Sequence, residues 1–332
     1  MKTLITGITG RIGAQLAHAL VAAGHEVRGL VWPQDKAVER LAGLPVDLVE
    51  GSLTNAGDVQ KAVAGMEAIC HLGAAFQAGG PFTNDDYFEI NVRGTYLMLE
   101  AAAANAASLR HFFFASSDAL YQKYLPGGIP DPIREDDFPL EPGGMYALTK
   151  LLGEDLCRGY LRNNHLPITI FRFAMTLGES EILNWPQFYA SHYAKQYAGK
   201  SSPAAQAVYA QLQDALAQNP KTLLIARDAT GRAYKKHISH ADDIVAGIAA
   251  AMGKPQAVGG TFQLAAPAPF TWDVAVPYLA EKLGLPFIDL RLVDATPTFY
   301  EFDLTNSRQT LGYAPQIDIQ RMIDVAWQQR KG

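Results

Sequence analysis

Tyr146-Ala147-Leu148-Thr149-Lys150 places a phenol and an ammonium four residues apart. On a helix that spacing puts both side chains on one face. An ammonium beside a phenol favours the ionised form, so Tyr146 is expected to titrate below its ordinary value of about 10. A phenol tuned in this way is a general acid/base for a carbinol or a carbonyl. Helices carry Y-x-x-x-K by chance often enough that the pair has meaning only through the elements that position it.

The first of those elements lies at the other end of the domain. Residues 2–6 form an apolar strand candidate that runs into Gly7-Ile8-Thr9-Gly10-Arg11-Ile12-Gly13. A helix follows, with apolar residues at Ile12, Leu16, Ala19, Leu20 and Ala23, and then a strand over residues 26–32. Strand, glycine turn, helix and strand make one βαβ unit. Its glycines permit a tight turn, close approach of a pyrophosphate and close helix–sheet packing. The helix N-terminus then offers free N–H groups to the phosphates. At the end of the second strand stand Leu30, Val31 and Trp32, with neither a carboxylate for the ribose of NAD nor an arginine for the 2′-phosphate of NADP. Trp32 is either an adenine contact or a strand-end hydrophobe, and Asp35 and Lys36 suit either cofactor.

Further strands are expected over residues 46–51, 68–73, 111–115 and 167–173. Long helices are expected over 84–105, with Tyr87, Ile90, Gly94, Leu97 and Ala101 on one side, and over 142–164, which carries Tyr146 and Lys150. Ser116-Ser117-Asp118 closes the fifth strand, and a Pro/Gly-rich loop fills residues 121–144. Strands alternating with helices for about 175 residues argue for an α/β fold with a doubly wound parallel sheet. Residues 1–176 are thus expected to form a dinucleotide-binding domain. Beyond 176 the rhythm breaks. An aromatic-rich stretch over 177–199 contains Trp185, Phe188, Tyr189, His192, Tyr193 and Tyr197, and a polar turn over 228–236 contains Arg232, Lys235 and Lys236. Residues 177–332 are expected to form a smaller α/β substrate lobe, interleaved with sheet elements of the first domain.

The 332 residues are 48% hydrophobic and 18% charged, an ordinary globular composition, and the net charge of -5 argues against general nucleic-acid binding. Cys70 and Cys157 lie in apolar runs and are expected as buried thiols of a reducing compartment. The histidines lack ligand spacing, so no metal is expected. No apolar run reaches the length of a membrane span, and no charged-then-apolar leader precedes Lys2. The expectation is a cytoplasmic protein.

In this order, the Gly7/Gly10/Gly13 turn, Ser117 at a strand end and the Tyr146/Lys150 pair resemble the short-chain dehydrogenase/reductase superfamily. Length and C-terminal lobe resemble its extended branch, the NAD-dependent epimerase/dehydratase family of sugar-nucleotide enzymes, built on a Rossmann domain. Gly51-Ser52-Leu53 resembles the family's adenine-contacting G-D-L, with Ser52 in place of the acid. His71-Leu72-Gly73-Ala74-Ala75 resembles its H-L-A-A strand end, and Asn91 matches the Asn of N-V-x-G-T. The resemblance implies that Ser117 hydrogen-bonds the substrate oxygen and Tyr146 transfers the proton. Lys150 would hold the nicotinamide ribose and ionise Tyr146. It implies NAD or NADP, with a slight preference for NAD. The implied cofactor contacts are Gly7, Thr9, Gly10, Arg11, Ile12, Gly13, Trp32, Ser52, Leu53, Leu72, Gly73, Ala74, Ala75, Asn91, Ala115, Ser116, Tyr146, Lys150 and Phe173.

Departures from the family concentrate on the substrate side, where Ser117, Asp118, Met175 and Lys236 are the expected contacts. Asp118 is followed by Ala119 rather than a second acid, which counts against dehydration. Met175 replaces the Asn of R-Y-F-N. Lys236 replaces an Arg and keeps the charge without the fork that suits a phosphate or carboxylate. The expected function is oxidation of a secondary carbinol, or reduction of a ketone, on a carbohydrate-derived small molecule. An epimerase is favoured, with a net dehydrogenase or reductase as the alternative and a dinucleotide-sensing protein less so. A homodimer through the helices at 84–105 and 142–164 is expected.

Overall fold

The computed structural model describes residues 1–76, 82–178 and 180–331. Seven parallel strands make the central sheet: β1 (Lys2–Thr6), β2 (Glu26–Val31), β3 (Val46–Glu50), β4 (Ala68–His71), β5 (His111–Ser117), β6 (Ile168–Phe173) and β7 (Thr261–Leu264). Their spatial order is β7-β6-β5-β4-β1-β2-β3. Covered on both faces by helices, the central strands read as apolar runs rather than alternations; Ile168–Phe173 is buried throughout. The doubly wound parallel sheet expected from the strand–helix rhythm is present.

The order reverses between β1 and β4, and in such sheets ligands lie in the crevice outside the carboxyl ends at that point. Both strand ends there are tied together. The Thr6 hydroxyl is 2.8 Å from His71 Nδ1 and accepts from the Gly73 N–H at 3.0 Å. On its other side the His71 ring meets the Thr95 hydroxyl at 3.0 Å. Burial first, then the Lys150 charge, lowers the His71 pKa to about 3, so the ring is neutral.

The helix expected over 84–105 contains an irregularity that periodicity did not show. It runs as Asn84–Tyr87, a π-helical segment Phe88–Arg93, and Gly94–Ala104. Such segments frequently occur at functional sites. The inserted residue rotates the inward face to Asn91, Gly94, Thr95, Met98 and Leu99, while Ile90 and Leu97 stay half-buried. The other long helix is Met145–Asn164, beginning after Gly144 rather than at 142, and it buries Ala147, Thr149, Lys150, Gly153, Glu154 and Cys157.

A second core forms around the aromatic stretch. Trp185 packs edge-on to Phe188 at 4.9 Å between centroids, and Phe270 stacks on Trp272 at 5.3 Å. The strands Leu223–Arg227 and Phe287–Arg291 pair in parallel, and the helices Pro203–Gln218, Trp272–Leu283 and Ile319–Lys331 cover this core. The turn over 228–236 is less solvated than its composition implies. Lys235–Lys236 forms a short strand antiparallel to Phe270–Thr271, and Lys236 is only 2% exposed. Cys70 and Cys157 are free and buried, and burial raises both thiols, Cys70 to about 12.

Candidate active site

Ser117 ends β5 and caps the turn after it, its hydroxyl accepting from the Ala119 N–H at 3.1 Å. Tyr146, in the first turn of the helix Met145–Asn164, reaches the same point. Its ring lies edge-on to Phe76 at 5.8 Å and to Tyr87 at 6.3 Å. Two effects compete on the phenol. Burial and, less so, the nearby Asp118 charge push it up, the Ser117 hydrogen bond pulls it down, and the net result is about 12. The expected fall below 10 is therefore overturned. The reason is where Lys150 points: its ammonium donates to the Ala115 carbonyl at 2.7 Å and lies 5.2 Å from the Phe114 ring centroid. Burial lowers Lys150 to about 8. The phenol is thus a proton donor at neutral pH, and one positive charge waits a helical turn away.

The dinucleotide side leaves room for a pyrophosphate. Gly7 has φ +67°, and a Cβ there would come within 2.9 Å of the Gly73 backbone. A Cβ on Gly13 would come within 2.1 Å of the Gly7 carbonyl. The turn is thus a bare-backbone cradle at the start of the helix Arg11–Ala22, and it fits a dinucleotide phosphate. Thr9 donates to Asp35 at 2.7 Å, Asp35 also accepts from Ala37, and Arg40 donates to the Thr9 carbonyl at 3.1 Å. Asp35 therefore anchors the turn. Trp32, directly after the end of β2, is 64% exposed. Ser52 bonds Thr54 through its hydroxyl and Asp58 through its N–H, and Leu53 packs half-buried near Gly73.

Other expected cofactor contacts have structural partners. Asn91 clamps Ala75 from both sides, accepting its N–H at 2.7 Å and donating to its carbonyl at 3.1 Å, and also donates to Thr149. It thereby sets the Leu72–Gly73–Ala74–Ala75 strand end against the helix Met145–Asn164. The Ser116 hydroxyl turns away from the crevice to Glu154 at 2.6 Å. Glu154 in turn holds Arg172 through two bonds of 2.9 and 2.8 Å. Ile12 and Phe173 pack into the first core. Arg11 leaves the turn and crosses to the second lobe: it donates to the Thr176 carbonyl at 2.9 Å and pairs with Glu181.

On the substrate side, the buried Asp118 accepts from the Met175 N–H at 3.3 Å and pairs with Lys123 at 2.6 Å. Lys236 donates to the Gln187 side chain at 3.0 Å. Ser117, Asp118 and Tyr146 therefore converge, Met175 joins them through its backbone, and Lys236 stands farther along the cleft. Lys123, Gln187 and Glu181 are missing from the expected set. The only trace of Lys123 is a lysine in the Pro/Gly-rich loop five residues after Asp118. Gln187 and Glu181 sit in the aromatic-rich stretch, where no spacing or motif marks them.

Over residues 3–265 the chain matches the NAD dependent epimerase/dehydratase family. A short-chain dehydrogenase/reductase superfamily protein from Agrobacterium tumefaciens, crystallised with bound NAD, superimposes with a TM-score of 0.82. The two are 32% identical, over 100% of this chain and 97% of that one. The uncharacterized UDP-glucose epimerase YtcB of Bacillus subtilis is 26% identical over 277 residues, 80% of this chain and 76% of that protein. Sterol demethylase protein B of Methylococcus capsulatus is 32% identical over 157 residues, and this chain spans only 45% of its length. From the family match, the strand order and the glycine cradle together, the chain belongs to the NAD-dependent epimerase/dehydratase family, as an NAD-dependent enzyme of the extended short-chain dehydrogenase/reductase type.

Proposed function

We propose that the protein is an epimerase that oxidises a secondary carbinol of a carbohydrate-derived substrate and then returns the hydride to the opposite face. Bound NAD supplies the hydride acceptor and donor. The chain's own residues handle the oxygen. Ser117 donates a hydrogen bond to it, and Tyr146, in the phenolate form that the Lys150 charge favours, accepts its proton on oxidation and, as the phenol, gives it back on reduction. Lys150, one turn along the same helix, supplies the positive charge that a phenolate would face. Phe76 and Tyr87 pack edge-on against the phenol ring.

The observation that carries the epimerase over a net dehydrogenase is the clasp from Arg11 to Thr176 and Glu181. It ties the cofactor's glycine turn to the second lobe. A redox-neutral cycle benefits from a cofactor kept in place, whereas a net dehydrogenase must release it every turnover. One observation favours the second reading: Met175 presents a thioether where an amide would grip a nucleotide sugar, which suits a simpler substrate. The deciding experiment measures isomer exchange and net NADH formation side by side on nucleotide sugars, free sugars and sugar acids. Exchange without net NADH is expected; stoichiometric NADH would replace the epimerase by the dehydrogenase. Tyr146→Phe is expected to lose at least about 100-fold in kcat while retaining NAD. Full activity in that variant would remove the mechanism.

The quaternary reading is a homodimer. Phe88, Tyr96 and Leu148, on the two long helices, expose 45%, 43% and 40% of their surface, and a second copy of the same helices would cover them.

A further inference from the structure

Beyond Asp118 the cleft contains two buried lysines, and their charges are not equally answered. Lys123 faces Asp118 at 2.6 Å, both nearly inaccessible, so that pair is neutral. Its ammonium also lies 5.2 Å from the Tyr300 ring and 5.8 Å from the Phe302 ring. Lys236 is equally buried, yet among the described residues no carboxylate lies within ion-pair distance of it. Its ammonium donates to the Gln187 carbonyl oxygen at 3.0 Å and lies 5.0 Å from the Trp185 ring. A neutral amide and an aromatic face satisfy only part of a group with three donors and a full charge. An isolated buried ammonium is costly unless an anion pairs with it.

A cavity of about 430 Å³ opens beyond Gln187, which stands in its wall beside Tyr124, His192, Tyr193 and Gln196 and links it to the buried Lys236 ammonium behind. Rings and amides of this kind suit a polyhydroxy ligand. The Tyr300 ring is buried and sits edge-on to Tyr124 at 6.2 Å. Lys200 and Asp294 also lie on the cavity wall, the lysine bonded to the Asp294 carbonyl, so they offset one another. The balance near the cavity is therefore one positive charge. A nucleoside diphosphate brings at least two negative charges and would leave one unanswered; a single carboxylate leaves none.

We propose that Lys236 anchors one carboxylate of the substrate, making the substrate class a sugar acid with its carboxylate at Lys236 and its reacting carbinol toward Ser117 and Tyr146. The assignment of the reacting end rests on the function proposed above; the anchor does not. The groups around Lys236 agree with it. Burial first, then the Lys123 charge, lowers the Lys236 pKa to about 7, and Asp118 opposes them. His192 is held below its ordinary value by burial and by the same lysine, so it adds no charge at neutral pH. Lys123 itself is lowered by burial against Asp118. A bound carboxylate would stabilise the Lys236 proton. Affinity for it should therefore fall as the pH rises above about 7, the point at which the free ammonium begins to lose that proton.

The test is calorimetric titration of the NAD-loaded enzyme with glucuronate, galacturonate and gluconate, against glucose, galactose and UDP-glucose. At pH 6.5 at least one acid should bind about tenfold or more tighter than its neutral counterpart, a difference of about 1.4 kcal/mol. That preference should vanish in Lys236→Gln, survive in Lys236→Arg, and weaken at pH 8.5. Equal binding of acids and neutral sugars, tightest binding of UDP-glucose, or an unchanged preference in Lys236→Gln would overturn the anchor. Tyr146→Phe separates the two proposals. If it binds the acid normally and is inert, both stand. If it binds the acid and still turns over, the anchor stands and the catalytic reading fails.

Discussion

Lys150 keeps its ammonium between the Ala115 carbonyl and the face of Phe114, and among the described residues no carboxylate lies within ion-pair distance to offset its burial. Its pKa in the folded chain, about 8, lies below the 10.5 of a free lysine. A depressed lysine destabilises the fold most when it is charged in both states, below about 8. The penalty fades as pH rises through the folded value toward 10.5, because the folded state then gives up the proton first. Lys150→Met is therefore expected to raise stability at pH 6, by about 1–4 kcal/mol as for other buried charges replaced by apolar groups. The gain should shrink by pH 9.5, and proton transfer should be lost throughout. Urea denaturation at the two pH values checks this, and a variant less stable at pH 6 would contradict it. At this scale the Ser117, Tyr146 and Lys150 positions were legible because motif order and helical spacing survive in one dimension. The direction of the Tyr146 shift was not, since it depends on which of several acceptors the lysine reaches.

The Arg11–Glu181 clasp joins two elements that share no local signal: a glycine turn and a short helical turn 170 residues later. Glu181 is held for the task by the Gly178 N–H, which donates to it at 2.8 Å. Both partners are partly exposed, and ion pairs of that kind contribute little to stability, about 0–1 kcal/mol. Glu181→Ala is therefore expected to leave the melting temperature nearly unchanged while NAD is released faster. Stopped-flow displacement of NAD measures this, and the variant should also lose more of its co-purifying NAD on dialysis. Unchanged release would sink the clasp and with it the main support for a retained cofactor. The π-helical segment Phe88–Arg93 belongs to the same scale. Helical periodicity predicted the helix but could not show the extra residue that turns Asn91 onto Ala75 and Thr149.

As a whole, the molecule sets a parallel sheet with its crevice at the β1/β4 switch point against a second, aromatic core, and β7 returns from beyond residue 177 to the edge of the first sheet. The two long helices pack against the sheet with one face and leave Phe88, Tyr96 and Leu148 uncovered on the other. In analytical ultracentrifugation the wild-type protein is expected to sediment as a dimer, and Tyr96→Glu/Leu148→Glu as a monomer. A wild type that sediments as a monomer at micromolar concentration would remove the dimer.

Local patterning was enough to anticipate a doubly wound sheet and a glycine cradle, because each is written in residues close in the chain or in motifs with fixed order. Folding decided the rest. Lys236, read as part of a polar turn, became a buried cation because residues 235–236 pair with 270–271 and Gln187 and Trp185 close over it. Asp118 was neutralised by Lys123, and Arg11 was drawn off the turn by Glu181. Burial and long-range pairing set the charge balance of the cleft, and neither is a property of sequence neighbours.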